Sequence, residues 1–441
     1  MSFQNTKHFA QKSITSEHIM GAFYRFHRIQ QNISLSDFAK QLRMNKGFLS
    51  ELENGKRHFP DGLYIQLNHL LHLQFNTDIE LWHQSRKTLF TLFDFFFLEQ
   101  NDSIQQLCEN FDNQESILSN SYGFFVCLII KIFYYLRIQR DNSKIIEIKN
   151  IIDTHIDCLQ NDELSIYYCF LGIFYKRSVS TNSIALDYFK KSNQLCSPNS
   201  SVNAMNTFQL VSVYSELNKY IIAYEKCIEC KPLLRQYNNY SRLITIDMFE
   251  CITLTNMHMF DESKKKLLNI LSSTNNGTFN YCQDQIYHNL AWNALLSQNY
   301  EECIHYTNLA KDAGDPSPDL CYFIPFSLYK LNKPLNALNE CSKAIKACDH
   351  FYIPFIEAIS AKIQNKNNDF ETKINVYYKS LLQNSNYEDI PLIQNFILDY
   401  YEEIHDKEMM INILKDIKLN NEDKLNFKTS LLWNFVVLFS Y

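Results

Sequence analysis

The chain has 441 residues, of which 46% are hydrophobic and 14% aromatic, so it can bury more than one core and is expected to hold several domains or a repeat array. Eight Gly and nine Pro are few for this length, and with long 3.6-period stretches they point to an all-α protein with short polar turns. The net charge is −6, but residues 1–72 carry nine Lys/Arg against five Asp/Glu, so a mildly basic head precedes an acidic body, which argues against a long nonspecific nucleic-acid track.

Residues 1–15 read as an N-terminal arm. From His18 to Gln30, Ile19, Ala22, Phe23, Phe26 and Ile29 recur at helical spacing. Ser34 is a suitable N-cap for a short helix with Phe38, Ala39 and Leu42 on one face. A turn around Arg43 follows, then a second short helix capped by Asn45, carrying Phe48, Leu49 and Leu52 and stopped by Asn54-Gly55. After Pro60, Leu63, Leu67, Leu70 and Leu71 continue the pattern, giving a compact head over 16–73 of about five helices, including a helix-turn-helix.

Arg28, Phe38-Ala39 and the run FLSELENGKRHFP resemble the lambda-repressor/Cro (XRE) family over roughly Ile19 to Leu73. The resemblance implies that Asn45, Lys46, Gly47, Phe48 and Glu51 lie nearest base edges in the major groove, and that Arg43, Ser50, Lys56 and Arg57 contact phosphate. Asn and Lys can hydrogen-bond purine edges, whereas Lys and Arg in loops neutralise the backbone without reading sequence. Gly47 departs from the family's usual Gln or Ser. Glu53 is expected to orient Arg28 inside the head.

Residues 74–100 read as a linker helix, with Leu81, Leu89, Leu92, Phe93 and Phe96 periodic, able to dock the head on the body or to form a dimer contact. Phe124 to Leu136 is the most apolar run, too short for a bilayer and interrupted by Lys131, so a buried helix is expected and no membrane span. Thirteen scattered cysteines without a secretory signal fit reduced thiols in the cytoplasm. Cys227 and Cys230 form a C-x-x-C with no second pair at zinc-finger spacing, so no metal or cofactor is expected.

The body, 101–441, is self-similar. Related segments place Ala185, Ala223, Ser263, Cys303, Ala337 and Lys373 at matching positions, with intervals of 38, 40, 40, 34 and 36 residues, each preceded by another helical stretch. The unit is a helix pair resembling the tetratricopeptide repeat, best matched over Asp284 to Pro316. Such pairs stack into a right-handed α-solenoid whose first helices line a concave groove. Groove candidates for an extended peptide are Asn203, Asn206, Gln209, Asn256, His288, Asn289, Trp292 and Asn293, whose carboxamides can pair with a peptide backbone. Lys176, Arg177 and Arg242 are candidates for a peptide carboxylate. The apolar tail LLWNFVVLFSY reads as a capping helix or dimer surface.

An XRE-type head on a tetratricopeptide-like body resembles the peptide-sensing regulators of Gram-positive bacteria and their phages, the Rap/Rgg/NprR/PlcR/PrgX/AimR group. That resemblance implies a cytoplasmic homodimer on a double-stranded DNA operator, switched by a short signalling peptide. Two alternatives stand beside it: regulation through a protein partner bound by the repeats, and a ligand-independent mobile-element repressor. The chain has no phosphate-cradling glycine loop, H-E-x-x-H or nucleophile elbow, so no catalytic residue and no enzyme is expected.

Overall fold

A computed structural model describes residues 14–177, 181–274, 282–383 and 389–415. Apart from an isolated bridge between Asn76 and Ser121, the regular structure of these residues is helical. They fall into two compact units, one within Met1–Gln209 and one within Leu210–Tyr441. The predicted arm (through residue 13) and the C-terminal capping helix lie outside the described residues.

The first unit opens with α1 (Ser16–Gln30), α2 (Leu35–Gln41), α3 (Lys46–Glu53) and α4 (Leu63–Leu71). Four helices, not five, make the head. Ser34 caps α2 by accepting from the Asp37 N–H, and Asn45 caps α3 by accepting from that of Gly47. Phe23, Phe38, Leu49, Leu52, Leu67 and Leu71 fill the space between them. Gly21 is needed where α1 crosses α3, because a Cβ there would come within 2.2 Å of the Leu52 carbonyl oxygen.

Next come α5 (Glu80–Phe97), α6 (Asn101–Leu118), α7 (Phe124–Tyr134), α8 (Asn142–Asp153), a 3-10 turn (Ile156–Cys158), α9 (Asn161–Tyr175) and α10 (Asn182–Leu195). The segment predicted as a linker helix is α5, and it belongs to the core of this unit: Phe93 meets Phe170, and Phe96 meets Phe133, at 5.8 and 5.4 Å between ring centroids. Arg86 of α5 donates to Gln160, Asp162 and Glu163 at the start of α9. The head docks instead through α1, whose Phe23 and Phe26 rings lie 5.2 and 5.3 Å from Phe124. The apolar run forms α7, buried along most of its length, with Lys131 paired to Glu115. Among the described residues no helix is long and apolar enough to cross a membrane.

From α9 onward first and second helices alternate: α11 (Ser201–Glu216), α12 (Tyr220–Gln236), α13 (Tyr240–Asn256), α14 (Phe260–Thr274), α15 (Gln283–Leu296), α16 (Tyr300–Asp312), α17 (Leu320–Lys330), α18 (Pro334–Ala347), α19 (Ile353–Ile363) and α20 (Asn367–Gln383), followed by α21 (Ile390–Glu403). Ala185, Ala223, Ser263, Cys303 and Ala337 sit on second helices and are fully buried, as close helix crossing requires. The last matched position is corrected: Lys373 pairs with Glu357 at the surface, and Phe370 and Ile374 of α20 take the interior. Cys227 and Cys230 are buried in α12, and burial pushes both thiols up, Cys230 to about 12.

Candidate functional site

In the head, the chain reverses at Arg43, whose φ is 54°, so that α3 begins on an exposed turn. Arg43, Asn45, Lys46 and Gly47 are exposed there, with Lys56 exposed just beyond the helix. Asn45 Oδ1 accepts from the Gly47 N–H at 2.7 Å, and a Cβ on residue 47 would stand 3.1 Å from that oxygen, so glycine leaves the cap room. Underneath, Arg28 grips Glu53 with two hydrogen bonds of 2.6 and 2.8 Å and donates to the Ile33 carbonyl at 2.7 Å. That buried fork fixes α3 against α1.

Three expectations for this surface change. Glu51, expected at base edges, is ion-paired with Arg57, expected on phosphate, so their charges answer each other. Phe48 is half-buried, with the Arg57 guanidinium 5.3 Å above its ring. The Ser50 carbonyl accepts from Asn54 at 2.6 Å and its half-buried hydroxyl lies 3.5 Å from the same amide.

In the second unit, a cavity of about 210 Å³ is lined by Ser212, Ser215 and Glu216 of α11, Phe249 and Ile252 of α13, His288, Asn289 and Trp292 of α15, and by Asp319 and Asp389. First helices of successive pairs therefore form its wall. Trp292 is buried and stacks on Phe323 at 5.8 Å, yet one side of it faces the cavity. His288 lies between two carboxylates, Nδ1 3.1 Å from Asp315 and Nε2 3.2 Å from Asp319. Burial opposes its charge, but the hydrogen bonds and charges of Asp315 and Asp319 outweigh burial and push the imidazole up to about 10. Both nitrogens are committed, which leaves none to act as a base. Asp389 accepts from Tyr322 at 2.9 Å and Tyr377 at 3.1 Å, and burial pushes its carboxyl up to about 6. With Glu216, Asp319 and Asp389 against one imidazolium, the lining suits a cationic group beside an aromatic face.

Of the predicted groove residues, the structure brings His288, Asn289 and Trp292 together on this cavity. Others are corrected. Asn293 is 2% exposed and donates to Thr255 and to the Phe260 carbonyl, joining α15 to the preceding pair. Asn206 is fully buried and donates to Ser192 and Asn193. Gln209 is buried and accepts from Lys176 at 2.8 Å, so these two candidates engage each other. Arg177 donates to the Leu136 carbonyl and to Asn142, and Asn203 to the Pro198 carbonyl. Arg242 is buried at the start of α13. Asn256 ends α13 with its Nδ2 buried and without a hydrogen-bond partner among the described residues. The sequence reading missed Glu216, Asp315, Asp319 and Asp389; of these, only the Asp315–Asp319 turn after Gly314 carried a local signal.

No protein-family model matches the chain, and no curated protein matches it by sequence. Solved structures do match. A Rap protein complexed with competence and sporulation factor aligns at a TM-score of 0.61 and 13% identity, covering 78% of this chain and 99% of that one. The chain shares its fold with Rap proteins. Aspartyl phosphate phosphatase F from Bacillus subtilis aligns at 0.51 and 14% identity, over 78% of this chain and 95% of that one. The Rap conjugation gene regulator of a plasmid, in complex with a Phr peptide, aligns at 0.51 and 15% identity, over 80% and 97%. The Rap-like fold agrees with the all-α, tetratricopeptide-like array expected from the repeat spacing.

Proposed function

We propose that the chain is a cytoplasmic transcriptional regulator whose N-terminal helix-turn-helix binds operator DNA and whose repeats take a short signalling peptide that alters that binding. The observation that carries this reading is the exposed opening turn of α3, where Arg43, Asn45, Lys46 and Gly47 stand clear of the head's core with Lys56 beside them. Backbone N–H groups at a helix start and nearby cations suit phosphate, while Asn and Lys suit purine edges. The peptide is supported by the cavity on α11, α13 and α15 and by two fold neighbours that are complexes, one with competence and sporulation factor and the other, a gene regulator, with a Phr peptide. The lining favours a peptide with a basic side chain. Two heads in a twofold dimer would meet an inverted repeat with half-sites roughly 34 Å apart or a multiple of it.

The test is DNA binding by the purified chain to fragments flanking its own gene, with and without synthetic peptides matching short secreted reading frames nearby. A peptide-dependent change in affinity or footprint is the expected result. Specific binding that no peptide alters would leave a simple repressor. Absence of specific binding, together with recovery of a stoichiometric protein partner from extract, would replace this reading with regulation through protein contacts.

A further inference from the structure

His18, in the first turn of α1, has an oxygen acceptor at each ring nitrogen: Nδ1 is 3.2 Å from the Asn54 carbonyl and Nε2 is 2.8 Å from Asp157 Oδ2. A neutral imidazole has a single N–H, so one of its nitrogens would set a lone pair against an oxygen. Beside them, the Sγ of Cys158 completes a group whose nitrogen, oxygen and sulfur atoms all lie within 4.8 Å of one another. We propose that His18 Nε2, the Asp157 carboxylate and the Cys158 thiolate bind a divalent cation of the zinc class, with water as the fourth ligand.

The donor set decides the class of ion. One imidazole, one carboxylate and one thiolate suit a borderline-soft, four-coordinate cation, and sulfur disfavours magnesium or calcium. The Asn54 carbonyl then takes the Nδ1–H and fixes Nε2 toward the ion, the outer-shell support typical of ligating histidines. Cys158 is 3% exposed while Asp157 is half-exposed, so the fourth position opens toward water on the carboxylate side. Binding replaces the thiol proton, which leaves to solvent. The neighbouring His155 is not in that group; its ring stacks on Phe125 at 5.1 Å between centroids. The ion would clasp α1 to the 3-10 turn Ile156–Cys158 and so fix the head on the helices that follow it within the same unit.

Metal-stripped full-length protein titrated with Zn²⁺ against a chromophoric chelator should take up a single ion per chain. Co²⁺ in its place should give the visible bands of a four-coordinate site and a sulfur-to-metal charge-transfer band that disappears in Cys158→Ser. His18→Gln and Asp157→Asn should each weaken uptake more than about tenfold. Asp157→Asn keeps the size of a half-exposed side chain, and with each protein's metal-free Tm as its own baseline, added Zn²⁺ should raise Tm only in the parent. No uptake, or uptake that all three variants retain, would overturn the site and leave His18 and Asp157 as a direct side-chain contact between α1 and the 3-10 turn.

Discussion

Arg28 and Glu53 are both nearly excluded from water, and each answers the other's charge through a two-pronged contact. Removing one member strands the other, so Glu53→Ala should cost about 3–5 kcal/mol of stability, read from urea unfolding, and specific DNA binding should fall with it. An apolar pair of similar volume, Arg28→Met with Glu53→Leu, should lose far less. At the exposed surface the expectations differ by residue. Lys46→Ala should cost about 1–3 kcal/mol of specific affinity and little nonspecific affinity if the side chain reads a base. Lys56→Ala should weaken binding to all sequences and flatten its salt dependence. Equal losses for both on every sequence would show that α3 is not the reading helix. Single residues were legible where one chemical role dominates: Ser34 and Asn45 cap the helices assigned to them, and Glu53 holds Arg28. They were illegible where a side chain can serve several roles, as Asn206 and Asn293 do by bonding inside the repeats and Glu51 by answering Arg57.

At the scale of elements, scarce glycine is explained by the turns within the helix pairs. Asn218, His258, Gln298, Asn332 and Asn365 all hold positive φ between 54° and 62°, the left-handed position that ends a helix. Asparagine tolerates that region better than most side chains, so its abundance in the sequence reflects turn geometry as much as ligand binding. Asn332→Val should therefore lower stability by about 1–2 kcal/mol, and Asn332→Gly should be close to neutral, both read from thermal or urea unfolding. Helix periodicity and the buried small positions were visible in the sequence because they repeat. The carboxylates of the cavity were not, because Glu216, Asp319 and Asp389 come from three separate elements and share no spacing. His288 joins α15 to the turn before α17 as a charged group, and its folded value is raised to about 10 from 6.5. The stability it contributes is fully present below pH 6.5 and is lost as pH rises toward 10. Asp389 acts in a separate window: burial raises its carboxyl from 3.8 to about 6, so it reduces stability as pH rises across that interval. Unfolding measured from pH 6.5 to 10 should show a steeper decline in the parent than in His288→Gln, since the buried thiols raised by burial lower stability near the alkaline end in both; parallel curves would mean the imidazole is not held charged.

For the molecule as a whole, the proposed function is a claim about a thermodynamic cycle. The cavity residues belong to the second unit and the residues proposed to face DNA to the first, so a peptide can affect the operator only through a change in free energy shared by the entire chain. Such coupling is reciprocal: if peptide changes operator affinity by a factor of about 5–150, operator must change peptide affinity by the same factor. Labelled-peptide anisotropy with and without operator, set against operator binding with and without peptide, should return equal factors. Glu216→Gln keeps the size of a cavity side chain while removing its charge. It should weaken a basic peptide and leave peptide-free DNA binding intact, whereas Lys46→Ala should do the reverse. With both substitutions together, their effects on the two separate affinities should add, because the side chains belong to different units. A peptide that binds tightly but leaves operator affinity unchanged would have equal affinity for both states of the chain, and the repeats would then be a peptide-binding module without control over DNA.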